Sequence, residues 1–215
     1  WADDTARIYG RIAARGGVLG GDGGNIETSG KRFLEVSRVA DASAPMGRGG
    51  QWLLDPTNIT ISSAADNLIA DTDAGADFLY EPSGTPSRIA VATIVAALEA
   101  GVNVTVTTSG NNGENGDITI SNAIVKAAGG DATLTLSAHN NIAINAGITT
   151  TNGRLNLVLN ANSDAAGGGA TTTAQTLALN GGTLTVLSGG LTLDSGAAVQ
   201  NGTLLTTNAT SATLA

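Results

Sequence analysis

The 215-residue sequence has no cysteine, so neither a disulfide nor a thiolate metal site can hold it together. Its single histidine, His139, has no cysteine or second histidine with which to build a metal centre or an activated nucleophile, and is expected at a surface corner. Aromatic residues make up 3% of the chain, which excludes a compact core filled by large rings. Lys and Arg total 10 against 18 Asp and Glu. With a net charge of −8 and no basic run, the electrostatic footprint of a nucleic-acid or anionic-membrane binder is missing. No window of about 18 apolar residues exists, so no helix is expected to span a bilayer. The chain starts at Trp1 without a methionine or a charged-then-apolar leader; the expectation is a mature or excised segment of something longer.

What the sequence does hold is glycine, 30 of them, among many alanines, threonines and asparagines. Such a composition could signal disorder, but 41% hydrophobic residues in regular alternation argue against it. Short runs, Asn25-Ile26-Glu27, Phe33-Leu34-Glu35-Val36 and Asn58-Ile59-Thr60-Ile61, place apolar side chains on one face and polar ones on the other, as half-buried strands do. Gly23-Gly24, Ser29-Gly30, Pro45, Gly47 and Gly49-Gly50 turn the chain between them. A chain that runs four residues, turns and runs again is coiling, and small aliphatics suit a narrow core stacked in columns.

Taken in order, Thr5–Arg15 predicts an opening strand pair bent at Gly10, with residues 1–61 forming the first coils. Residues 62–101 interrupt them with an acidic loop and then a helix over Ser87–Ala100, announced by Thr85 as N-cap and Pro86 at the first helical position. From Val102 to residue 215 the ladder returns, with strands predicted at Asn103–Val106, Asp117–Ile120, Ala132–Leu136, Asn141–Ile144, Arg154–Leu159, Thr176–Leu179, Thr183–Leu187, Leu191–Leu193 and Thr203–Leu205. Apolar positions recur at about 20–22 residues, from Leu134 to Leu155, Leu177 and Val199. Nine or ten coils about 4.8 Å apart predict a rod on the order of 45 Å long. Asn141, Asn152 and Asn201 fit its tight corners, since asparagine tolerates the left-handed conformation.

The residues Gly23-Gly24-Asn25-Ile26-Glu27-Thr28-Ser29-Gly30, followed by Trp52-Leu53-Leu54-Asp55-Pro56 and Asn58-Ile59-Thr60-Ile61, are similar to signatures of the filamentous-haemagglutinin-like exoproteins of two-partner secretion, especially the high-molecular-weight adhesins. The resemblance covers roughly Gly20 to Leu159. It implies an all-β, right-handed parallel β-helix with one short helix on its side, export through an outer-membrane partner transporter, and display at the cell surface or as an extracellular filament. The expected partners are then a host-cell or surface receptor or glycan, with end-to-end self-association of the rods as a further possibility through unpaired edges.

Catalysis needs convergent titratable groups, and β-helix lyases and hydrolases of polysaccharides work with carboxylates clustered on one face. Here Asp66, Asp71, Asp73, Asp77 and Glu81 fall in one loop with Phe78 and Tyr80. That loop reads as a solvated contact surface rather than an active site, and no catalytic residue, cofactor or metal is assigned. Gly20-Gly21-Asp22-Gly23-Gly24-Asn25 is faintly like a calcium-binding nonapeptide, but such sites need stacked copies and this one is single. The outward Thr-x-Thr pairs, Thr105 and Thr107, Thr133 and Thr135, and Thr183 and Thr185, read as β-branched residues on a solvated strand face. The reading is a non-enzymatic rod that binds through an extended face, the alternative being a carbohydrate-active β-helix enzyme.

Overall fold

A computed structural model describes residues 1–63, 87–110, 114–206 and 212–214, the last by backbone alone. The chain winds into a parallel β-solenoid of about seven turns, with a single short helix among the described residues. The first sheet stacks Asn25–Gly30, Gln51–Pro56, Asn103–Thr107, Ala132–Ser137 and Leu155–Asn160, then the later halves of Thr176–Ser188 and Ala198–Thr206. The second runs Thr5–Ile8, Phe33–Val36, Ser87–Ala90, Ile59–Ser62, Ile118–Ile120, Ile142–Ile144, Ala170–Thr173, Gly190–Leu193 and Ala212–Leu214. A narrow third sheet holds Ile124–Lys126, Ile148–Thr150 and the early halves of the two long strands. Thr176–Ser188 bends between sheets at Asn180 and Gly181, whose φ angles of 49° and 85° make the corner.

Alternation along each strand fixes which side chains point inward, and the parallel register stacks them into columns. One column is Ile26, Trp52, Val104, Leu134, Leu157 and Leu184; another, in the second sheet, is Ile59, Ile118, Ile142, Thr171 and Leu191. All of these are buried. Thr171 is the polar exception: fully buried, its hydroxyl has no hydrogen-bond partner. A buried hydroxyl without a bond keeps its desolvation cost, so Thr171→Val, nearly equal in shape, is expected to stabilise the fold by about 1 kcal/mol in urea denaturation.

The corners are held by side chains that extend the backbone ladder. At the start of the second sheet the amides of Asp117, Asn141 and Ala170 donate to the side-chain oxygens of Asn58, Asp117 and Asn141, at 2.6, 2.9 and 3.1 Å. Each carbonyl side chain thus reaches one turn onward, where the bending backbone no longer presents its own acceptor. Before the first sheet the turns approach so closely that a Cβ on Gly50 would lie 2.0 Å from the Gly24 carbonyl oxygen.

Several expectations are corrected. Ser87–Ala90 is a strand, and the helix is Val91–Glu99, with no side-chain cap at Ala90. Ser87 and Ile89 are buried while Arg88 and Ala90 are half-buried, a period of two that inserts this segment as an extra rung between Phe33–Val36 and Ile59–Ser62. Thr85 and Pro86 lie outside the described residues. The second half of the predicted opening pair is reduced to an isolated bridge between Ala13 and Asp41. Register steps are not a constant 20–22: Val104 stacks on Leu134, Leu134 on Leu157, Leu157 on Leu184 and Leu184 on Leu204, turns of 30, 23, 27 and 20 residues. Longer turns mean fewer of them, and the seven span about 30 Å. Of the asparagines predicted at left-handed corners, Asn201 adopts φ 49°, whereas Asn141 and Asn152 do not appear among the positive-φ residues, which include Asn162 and Asn180.

The helix does one further thing. It packs beside Ile124–Lys126, the outermost strand of the narrow sheet, and its Glu99 Oε1 accepts hydrogen bonds from the amides of Ala127 and Ala128 at 2.8 and 3.0 Å. A carboxylate there takes the place of the strand carbonyls that a further turn would have supplied.

Candidate functional site

The outward face of the first sheet is the broad regular surface of the described molecule. Its strands are in register, so outward residues also form columns: Leu53, Thr105, Thr135, Val158, Thr185 and Leu205 in one, with Asn103, Thr133, Asn156 and Thr183 beside it. The Thr-x-Thr pairs of the sequence therefore fall into adjoining columns, interrupted by Asn156 and Val158. Along a third column hydrogen bonds tie one turn to the next: Asn160 Nδ2 donates to Ser137 Oγ at 2.9 Å, and Ser188 Oγ donates to Asn160 Oδ1 at 2.6 Å.

That third column begins with Ser29 paired to Asp55, and here the surface is acidic. Ser29 Oγ donates to Glu27 Oε1 at 2.8 Å, and Asp55 is half-buried between these residues and Thr107. Burial pushes the Asp55 carboxyl above its ordinary value of 3.8; a hydrogen bond from Thr107 opposes this, and the charge of Glu27 adds to it. Because the folded-state value is raised, the associated stability is present below the unfolded value and lost as pH rises through the folded one. Asp55→Asn keeps an acceptor for Thr107 without the charge. It is expected to raise the melting temperature at pH 7, with the gain shrinking as pH falls through the folded value and gone below the ordinary carboxylate value of 3.8, in thermal melts across pH.

Where the chain enters the first sheet, a groove of about 400 Å³ crosses four successive turns. Arg48 and Asp131 line it together with Asn103, Thr133 and Asn156 of the first sheet, and Gly130. Arg48 is held in place from both sides: its amide donates to Asp22 Oδ1 at 2.8 Å, and its carbonyl accepts from Gly23 N at 2.9 Å. Asp131 Oδ1 accepts from the Arg154 amide at 2.8 Å. Arg48 and Asp131 do not pair with each other among the described ion pairs.

The acidic loop predicted as a contact surface, Asp66, Asp71, Asp73, Asp77, Phe78, Tyr80 and Glu81, lies outside the described residues. His139 sits at the corner after Ala132–Ser137, half-buried, its Nε2 3.1 Å from Asp164 Oδ2. Asp22, in the calcium-like stretch, spends an oxygen on the Arg48 amide, and among the described residues no three His, Cys, Asp or Glu side chains gather as a metal site. Among those residues, too, no helix is long and apolar enough to cross a membrane. The groove was missed by the sequence reading because Arg48, Asn103, Asp131 and Asn156 are brought together by turns of unequal length. Asparagine at the start of a predicted strand, as at Asn103, was the signal present.

No protein-family profile matches the chain, and no curated protein matches it.

Proposed function

We propose that this chain is a rigid, non-catalytic segment of a secreted bacterial surface adhesin or extracellular filament. The observation that carries the proposal is the first sheet's outward face: side chains in register over successive turns, tied to one another along the rod, form an extended regular surface of the kind a binding rod presents. The resemblance of Gly23–Gly30 and Trp52–Ile61 to the filamentous-haemagglutinin-like exoproteins supports the same reading. On it, the protein leaves the cell through an outer-membrane partner transporter of a two-partner secretion system and meets a receptor or glycan on another surface.

A second reading is favoured by one specific observation. Glu27 and Asp55 occupy neighbouring turns of the same outward face, with the Asp55 carboxyl held above its usual range, as a general acid of a carbohydrate-active β-helix enzyme requires. One experiment separates the two. Purified protein is incubated with immobilised acidic and neutral polysaccharides and with cultured host cells, and both adsorption and soluble product are measured. Adsorption without product is expected. Polysaccharide turnover that disappears in Asp55→Asn would establish the enzyme instead.

A further inference from the structure

The groove at the entrance to the first sheet has a chemistry that narrows its ligand. Asn103 Oδ1 accepts from the Thr133 amide at 2.9 Å, and Asn156 Oδ1 accepts from the Thr183 amide at 3.1 Å. These bonds fix the orientation of both amides, leaving each NH₂ without a described partner and available to a ligand. The two asparagines stand two turns apart, about 10 Å, with Thr133 between them. Donors therefore outnumber acceptors along this wall, and Arg48 adds a forked cation on a loop that the preceding turn already holds rigid. Asp131, two residues before Thr133, supplies an acceptor in the same groove. No aromatic residue lines the groove, so a sugar ring cannot be gripped by stacking, and recognition must come from polar bonds.

We propose that this groove binds a hexuronate unit of a short oligosaccharide, its carboxylate against Arg48 and its hydroxyls shared among Asn103, Thr133, Asn156 and Asp131. A neutral, hydroxyl-only ligand leaves the fork of Arg48 without the planar partner it matches best. A long polyanion is opposed by the chain's net charge of −8, whereas a single acid sugar seated against Arg48 gains a charge-assisted pair that Asp131, in the same groove, opposes only from beyond that contact. The inference rests on the adhesin reading, for which it names a class of receptor.

Gly130 provides the decisive variant. A Cβ there meets nothing within 4 Å and its φ is not positive, so Gly130→Leu adds bulk at a residue lining the groove without straining the backbone. The probes are a tetrasaccharide of alternating glucuronate and N-acetylglucosamine, and the same tetrasaccharide with its carboxyl groups reduced to alcohols, titrated calorimetrically into the whole chain. The acid form is expected to bind about tenfold more tightly, the effect of one charge-assisted pair. Arg48→Gln should erase that preference while weak binding of the reduced form persists, and Gly130→Leu should remove both. Equal binding of the two forms, binding unchanged in Gly130→Leu, or binding of neither form overturns the groove. Adhesion of the wild type to cells that survives in Gly130→Leu overturns the groove alone, whereas a wild type that adheres to nothing overturns the adhesin reading as well.

Discussion

Trp52→Ala is expected to lower stability by about 3–5 kcal/mol, the range for removing a large ring from a filled core. Trp52 is fully buried between Ile26 and Val104 of the adjoining turns, in a column otherwise built from aliphatic side chains. Its indole Nε1 donates to Thr28 Oγ1 at 3.0 Å, and the Thr28 hydroxyl points on to the Leu53 carbonyl at 3.5 Å. Truncation thus empties the widest seat in the column and removes the donor to a buried hydroxyl, which keeps only its bond to the Leu53 carbonyl. In a solenoid each turn contacts only its neighbours, so the loss falls on the two interfaces that flank Gln51–Pro56. Urea denaturation followed by far-ultraviolet circular dichroism should show the early turns unfolding first, as a separate transition ahead of the turns after Val102. Trp52→Phe keeps the ring but not the N–H donor and should fall between the two. A Trp52→Ala protein that unfolds within 1 kcal/mol of the wild type would mean that this indole does not occupy the core.

The ladder after Val102 was legible because most inward seats there are aliphatic and most outward ones polar, so a period of two shows in the letters themselves even with Val125 and Val158 facing outward. Ser87–Ala90 was misread for a reason that is also local: Ile89 sits at a position compatible with both a strand and the helix that follows, and only the gap between Phe33–Val36 and Ile59–Ser62 decides for the strand. Ala170–Thr173 escaped notice because its inward seats are Thr171 and Thr173, which hide the alternation. Ile124–Lys126 and Ile148–Thr150 escaped because one of the two inward seats in each is polar, Lys126 or Thr150, whereas the equally short Ile118–Ile120 and Ile142–Ile144 are aliphatic at both. For the groove, the residue types were visible but their meeting was not. Turns of 30 and 23 residues place Asn103, Thr133 and Asn156 in one column, and no constant repeat read along the sequence brings them together.

A cation at an inward position of the narrow sheet is the least expected feature of the core. Lys126 is completely buried, and its Nζ donates to the carbonyl oxygens of Ala128 at 2.8 Å, of Gly129 at 3.4 Å and of Asn152 in the next turn. One turn on, the register places Thr150 at the same seat, and its hydroxyl donates to the carbonyls of Asn152 and Gly153 at 3.1 and 3.4 Å. Both residues thus supply the donors that a corner full of inward-facing carbonyls lacks, and the longer Lys126 side chain links two corners at once. Lys126→Ala leaves those acceptors unpaired around an empty stem and is expected to cost about 3–5 kcal/mol; Lys126→Met, which fills the stem alone, should cost roughly half as much. Burial also depresses the lysine's pKa below its ordinary 10.5, with Glu99 and Asp131 acting in the opposite sense. Because the folded value is the lower one, the unfolded chain holds more protons between the two values, and wild-type stability must climb with pH across that interval toward 10.5. Paired urea titrations of the wild type and Lys126→Met over the alkaline range isolate this contribution, since every other titrating group is common to both. A stability difference between the two proteins that stays flat with pH would show that the ammonium is not confined at this corner.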